Sequence, residues 1–243
     1  MTAALPALLY APLALTAVVA LCLLLWVLAK GDVCPGQRRR ISDGLLSGWA
    51  VFGLAVMLGA DSASGSWLVF LGGVSFVIGI AVLLYQGRLA GKRSLPLSWH
   101  GPGLLLALLY GAVVVFHYGP TLLLAGGAGG CVFAHLIMVR AKHRLTAFNT
   151  LLPLVGIAFA IAWLLLLVIQ TYVADLQGEM TAGLIRPFVQ MSAAMLLGAI
   201  LWLFPLLRQQ DTSPPLIAVV ALLIIGGLAV GQSILWQLAS NIS

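Results

Sequence analysis

Eight long runs of apolar residues, parted by short polar gaps, occupy almost the whole chain. They cover residues 6–29, 44–60, 66–86, 102–118, 120–139, 150–172, 183–207 and 215–237. A helix needs about 20 mainly apolar residues to cross the hydrocarbon core of a bilayer, and these runs have that scale. In lipid a helix satisfies its backbone hydrogen bonds within one segment. The expected fold class is therefore all-α: a single polytopic membrane protein over 1–243, an eight-transmembrane-helix bundle. Breaks fall where helix breakers stand. Gly31-Asp32 and Pro35-Gly36 interrupt the first gap, Pro96 lies in the third, and Pro214-Pro215 stops the seventh helix and begins the last. Pro120 is expected to open the fifth run in a first-turn position, after the His117-Tyr118-Gly119 turn.

Charge orients the bundle. Eleven of the twelve basic residues fall in alternate gaps: Lys30, Arg38, Arg39 and Arg40; Arg88, Lys92 and Arg93; Arg140, Lys142 and Arg144; and Arg208. By the positive-inside rule, gaps 30–43, 87–101, 140–149 and 208–214 are cytoplasmic, and eight spans then place both termini outside. The first run has no basic segment before it and its charges follow it. It reads as a retained helix, not a cleaved signal. Arg186 is the exception, opening the seventh helix just inside the outer interface. No repeat stands out that would indicate the inverted halves of a transporter.

Composition narrows the function classes. The chain is 62% hydrophobic and 7% charged, with a mean hydropathy of +1.13, which leaves no stretch polar enough for a soluble domain. The net charge of +6 does not indicate a nucleic-acid partner. Its basic residues sit in short loops, where they meet anionic lipid headgroups or an acidic partner surface. Cys22, Cys34 and Cys131 are too few and scattered for a disulfide framework, and no Cys/His spacing fits zinc or an iron–sulfur cluster. Phosphate-binding loops, nucleophile–base pairs and metal boxes are not found.

Polar groups at membrane depth carry the remaining information. His135, Gln170, Gln190 and Gln232 are expected to hydrogen-bond across helices. Gly126, Gly127, Gly129 and Gly130 in the fifth run, and Gly226, Gly227 and Gly231 in the eighth, are expected at close helix contacts. His117 and His135 lie at opposite depths, a poor pairing for a b-type haem, so no haem is expected. Asp61, within Gly59-Ala60-Asp61-Ser62-Ala63-Ser64-Gly65-Ser66, has two readings. It caps the third helix, or it accepts a proton or hydrogen bond from a quinol hydroxyl at the outer face. His117 could serve in the same role, and Arg186 could hold the carboxylate ionised. Asp175 and Glu179 read as a solvated face.

Several segments resemble the membrane-anchor subunit of dimethyl sulfoxide reductase and its relatives. They are Leu28-Ala29-Lys30-Gly31-Asp32 with Gln37-Arg38-Arg39, the Asp61-Ser62-Ala63-Ser64-Gly65-Ser66 entry to the third helix, and Leu151-Leu152-Pro153. Leu201-Trp202-Leu203-Phe204-Pro205 and Gly227-x-x-x-Gly231 complete the set. The loop after the second run is shorter than in that family. Met57-Leu58-Gly59 stands where the family has a histidine element, and Asp61 stands in for its quinol-binding glutamate. Leu228 and Gln232 replace an acid and an arginine of the eighth helix.

The resemblance implies an anchor in the bacterial cytoplasmic membrane that oxidises menaquinol and tethers an iron–sulfur subunit and a molybdopterin catalytic subunit. Both cofactors would belong to those partners. The quinol-binding candidates are Asp61, His117 and Arg186. Arg38, Arg39, Arg40, Arg88, Lys92, Arg93, Arg140, Lys142 and Arg144 are the candidates for docking the partner. A small polytopic transporter, or an assembly protein that binds no ligand, is the alternative.

Overall fold

A computed structural model describes residues 5–61, 65–89, 94–142, 146–176 and 182–242. Its helices are α1 (Leu5–Lys30), α2 (Pro35–Asp61), α3 (Ser66–Gly87), α4 (Gly101–Tyr118), α5 (Thr121–Arg140), α6 (Thr146–Leu176), α7 (Ile185–Leu207) and α8 (Pro214–Ile242). Single 3₁₀ turns, Leu97–Trp99 and Ala182–Leu184, lead into α4 and α7. No strand occurs among the described residues, and all eight helices are long and apolar enough to span a membrane. The protein is an all-α, multi-pass integral membrane protein.

Most helix ends fall within a few residues of the hydrophobic runs, but α2 begins nine residues before its run. The basic segment Gln37-Arg38-Arg39-Arg40, expected in a loop, forms the first turns of this helix. Pro35 is the reason: its fixed φ and missing N–H suit a first helical position. The Arg38 N–H closes the first turn onto the Cys34 carbonyl at 2.9 Å. Pro120 precedes α5 as its N-cap and is not its first residue. The inner ends of α5 and α7 finish in left-handed residues, Lys142 and Gln209, both at φ 52°. After α7 the Gln210 N–H returns to the Pro205 carbonyl at 2.9 Å, which satisfies carbonyls the helix end would otherwise leave open.

Helices α1 and α5 form the centre, with 67% and 72% of their apolar stretches buried against 28–50% in the others. Ala11, Ala14, Ala17 and Ala20 line α1 and are fully buried. Opposite them, a side chain on Gly126 would strike Leu15, one on Gly129 would strike Thr16, and one on Gly130 would strike Val19. The glycine run of α5 is thus a helix-packing surface, as its small residues predict. Gly127 serves a different neighbour and seats Phe159 of α6.

Around this pair the chain repeats a pattern. Helix α1 packs on α2 and α4, with α3 joining those two; α5 packs on α6 and α8, with α7 joining those two. Since each group has four helices, α1 and α5 cross the membrane in the same direction. The two groups thus share one pattern of neighbouring helices.

Three fully buried tryptophans fill the spaces around the centre, each against a glycine. Trp49 of α2 lies on Gly79 of α3, Trp163 of α6 on Gly231 of α8, and Trp202 of α7 on Gly156 of α6. Gly227 receives Met195, so the Gly227-x-x-x-Gly231 stripe packs on α6 and α7.

Two outcomes follow. Gly129→Val should destabilise the bundle by about 1–3 kcal/mol, since the added side chain would meet the stiff, fully buried Thr16 side chain of α1. A melting temperature in detergent unchanged from wild type would refute the α1–α5 contact. Cys34 is exposed on the basic side, whereas Cys131 is buried. A membrane-impermeant maleimide should therefore label Cys34 only after cells are opened; labelling of intact cells would reverse the topology.

Candidate functional site

The outer face holds the three sequence-predicted quinol residues, but on different parts of the bundle. Asp61 ends α2, and His117 is exposed in the last turn of α4; both belong to the first half. Arg186 is exposed in the first turn of α7, in the second half, where α7 packs chiefly on α8 and α6. Arg186 is thus carried by a different group of helices from the other two. Helix α3 starts from Gly65 as its N-cap, and Ser62, Ala63 and Ser64 lie outside the described residues. Glu179 lies outside the described residues, and Asp175 falls in the last turns of α6.

An apolar groove of about 330 Å³ opens between the outer ends of α6, α7 and α8. Val168, Tyr172, Leu184, Ile185, Phe188 and Ile234 form most of its wall. Thr171 also lines it, but its hydroxyl is turned back on the Leu167 carbonyl at 2.8 Å, leaving the wall apolar. Such a groove accepts a flat or extended hydrophobic group from the lipid.

Aromatic rings tie this region to the first half. Trp236 of α8 stacks on Tyr118 of α4, the residue after His117, at 5.7 Å between ring centres. Tyr118 meets Tyr10 edge-on at 5.8 Å, and Tyr10 meets Tyr110 at 6.3 Å. Helix α8 thus lines the groove with Ile234 and reaches the His117 end with Trp236 two residues later. This ring cluster was not anticipated from the sequence. Tyrosines near span ends were visible there, but their mutual approach comes from α1, α4 and α8 converging.

At depth, His135 is a polar residue that joins three helices. Its Nδ1 accepts the Trp202 indole N–H at 2.8 Å. Indole only donates, so in the neutral ring Nε2 carries the hydrogen, facing Asn149 Oδ1 at 3.4 Å. Helices α5, α6 and α7 are joined in this way, the linking role expected for His135. The same expectation fails for Gln170 and Gln190. Both are exposed and make no cross-helix hydrogen bond among the described residues. They lie toward the outer ends of their helices, where an amide can reach the interface. Gln232 is buried on α8.

The inner face carries the basic candidates. Arg40, Arg88, Arg140 and Lys142 are exposed, and Arg38 is half-buried. Lys92, Arg93 and Arg144 lie outside the described residues. Arg39 is held internally: its Nε pairs with Asp43 at 3.0 Å, and its Nη1 donates to the Gln86 carbonyl at 2.9 Å. Gln86, only 1% exposed, donates from Nε2 to Asp43 at 3.0 Å and accepts the Leu95 N–H at 3.3 Å. This network ties the start of α2 to the end of α3 and to the segment leading into α4. Arg39 and Asp43 stand four residues apart, a spacing that would have announced the pair had the segment been read as helical. Nearby, burial lowers the pKa of His100, favouring a neutral ring beneath α4.

Gln86→Ala and Asp43→Ala should each lower the melting temperature in detergent, by an amount corresponding to about 1–3 kcal/mol. Their double variant should cost less than the sum of the two, by about 0.5 kcal/mol or more. Strict additivity would mean the network carries no coupling.

No curated protein and no solved structure matches the chain. Residues 1–238 match a family described as an integral membrane domain. With the match running nearly end to end over an eight-helix bundle, the chain belongs to this integral membrane domain family.

Proposed function

We propose that the chain is the membrane-anchor subunit of a respiratory molybdopterin/iron–sulfur oxidoreductase of the dimethyl sulfoxide reductase type, set in the bacterial cytoplasmic membrane. It would bind menaquinol near the outer face and pass electrons to an iron–sulfur partner. The observation that carries this reading is the apolar groove between the outer ends of α6, α7 and α8. A quinol travels in the lipid, has a flat ring and a long apolar tail, and must reach a polar boundary to release its protons. Its oxidation to quinone frees two protons and two electrons. The groove supplies the apolar berth. Asp61 and His117, at the outer ends of α2 and α4, are the groups able to take protons toward solvent. The exposed Arg40, Arg88, Arg140 and Lys142 offer a basic inner surface for a partner.

A transporter would instead place its substrate near the midplane, at the interface between repeats. Here the α1–α5 interface between the halves is filled by alanine against glycine. That packing favours a rigid anchor over halves that rock apart.

Asp61→Asn should slow menaquinol-dependent reduction about 100-fold while leaving reduction by a soluble artificial donor intact. Phe188→Ala should weaken quinol binding, raising the apparent KM with the soluble-donor rate unchanged. Quinol turnover at the wild-type rate in both variants would remove the quinol site. Recovery of the chain in mild detergent without iron–sulfur and molybdopterin subunits would remove the anchor role.

A further inference from the structure

On the inner face a second cleft, of about 300 Å³, lies between the start of α2 and the end of α5. Arg40 and Arg140 stand on its walls with Asp43 and Ser47, and its floor is formed by Gly44 and Ile137. The floor is set by a close helix approach: a side chain on Gly44 would strike Ile137. Arg140 is the last residue of α5, and Arg40 is four residues before Gly44, so both guanidinium groups sit at the depth of lipid headgroups.

The charge in this cleft is unbalanced. Asp43 is its acid, but that carboxylate is already paired with Arg39 at 3.0 Å and receives the Gln86 amide at 3.0 Å. Arg40 and Arg140 have neither an ion-pair nor a hydrogen-bond partner among the described residues. Two arginines from different helices thus converge on one polar hollow with their own charge unmet, and a hydroxyl, Ser47, lies beside them. Guanidinium groups in such a setting bind phosphate oxygens through paired N–H donors.

We infer that this cleft between α2 and α5 binds a phosphate anion, carried by an anionic lipid headgroup of the inner leaflet or present as free inorganic phosphate. The apolar floor and the interfacial depth fit the lipid source, since the glycerol end of a phospholipid would rest on Gly44 and Ile137. The site is independent of the anchor reading. It gives Arg40 and Arg140 a role distinct from docking a protein.

The full chain, purified and delipidated in mild detergent, would be titrated with phosphatidylglycerol, phosphatidylethanolamine and inorganic phosphate, with binding read by native mass spectrometry and thermal shift. Phosphatidylglycerol should bind the wild type in preference to phosphatidylethanolamine. Arg40→Gln with Arg140→Gln should lower its affinity roughly tenfold or more, each single change giving an intermediate loss. Arg88→Gln with Arg208→Gln, which removes exposed charge from the same face outside the cleft, should leave it unchanged. Displacement of the lipid by millimolar inorganic phosphate would identify the free anion as the ligand; failure to displace it would identify the headgroup. The Arg40/Arg140 variant should elute as the wild type does, because neither of these arginines holds an internal contact among the described residues; the Arg88/Arg208 control gives up only the contact of Arg208 with the Phe204 ring and should elute likewise. Equal phosphatidylglycerol binding by wild type and the Arg40/Arg140 variant, or equal loss in the Arg88/Arg208 control, would overturn the inference.

Discussion

The bundle depends on how closely α1 and α5 approach one another. In lipid, helices gain little from hiding apolar surface, because the surrounding chains are equally apolar. Dispersion between well-fitted backbones and side chains must supply most of the attraction. Alanines along α1 and the Gly126–Gly130 segment of α5 allow that fit. Once the two helices are joined, each presents its remaining sides to a further set, α2 and α4 for one, α6 and α8 for the other. The four-plus-four arrangement follows from this single contact.

Away from the centre, fit is achieved by opposite means. Large indoles of Trp49, Trp163 and Trp202 enter gaps opened by glycines on adjacent helices. Few hydrogen bonds cross between helices, and those described sit at definite depths. Trp202, His135 and Asn149 link α5, α6 and α7, while Arg39, Asp43 and Gln86 link α2 and α3 at the inner boundary. The inner network matters for function as well as stability. By neutralising Asp43, Arg39 leaves Arg40 and Arg140 as an uncompensated pair in the neighbouring cleft.

The two faces of the molecule are consequently unlike. The outer one combines an apolar groove with a chain of aromatic rings reaching toward His117. The inner one is basic, with polar hollows between helix ends. Such a division suits a protein that takes a hydrophobic reactant at one surface and meets lipid headgroups or a protein at the other. A tightly packed interface between the halves holds the two surfaces at a fixed separation.

The number of spans and their approximate limits were legible in the sequence, and charge supplied an expected orientation. Bilayer thickness and the cost of placing charge in lipid act on each segment locally, so they leave a linear record. That record also placed Asp61, His117 and Arg186 at the same side of the bundle and pointed to the glycines of α5, with Gly227 and Gly231 of α8, as packing surfaces; Gly226, expected with them, faces no neighbouring helix. It could not show that Arg186 belongs to the other half from Asp61 and His117, because partner choice among helices is not local. Nor could it distinguish Arg39, held inside, from Arg40 beside it: helical geometry turns adjacent residues about 100° apart, and only packed neighbours decide which one is enclosed. The apolar groove, the aromatic chain and the inner cleft are likewise products of helices distant in sequence meeting. Local hydrophobicity and charge determined the membrane topology; shape complementarity between remote segments decided the arrangement within it.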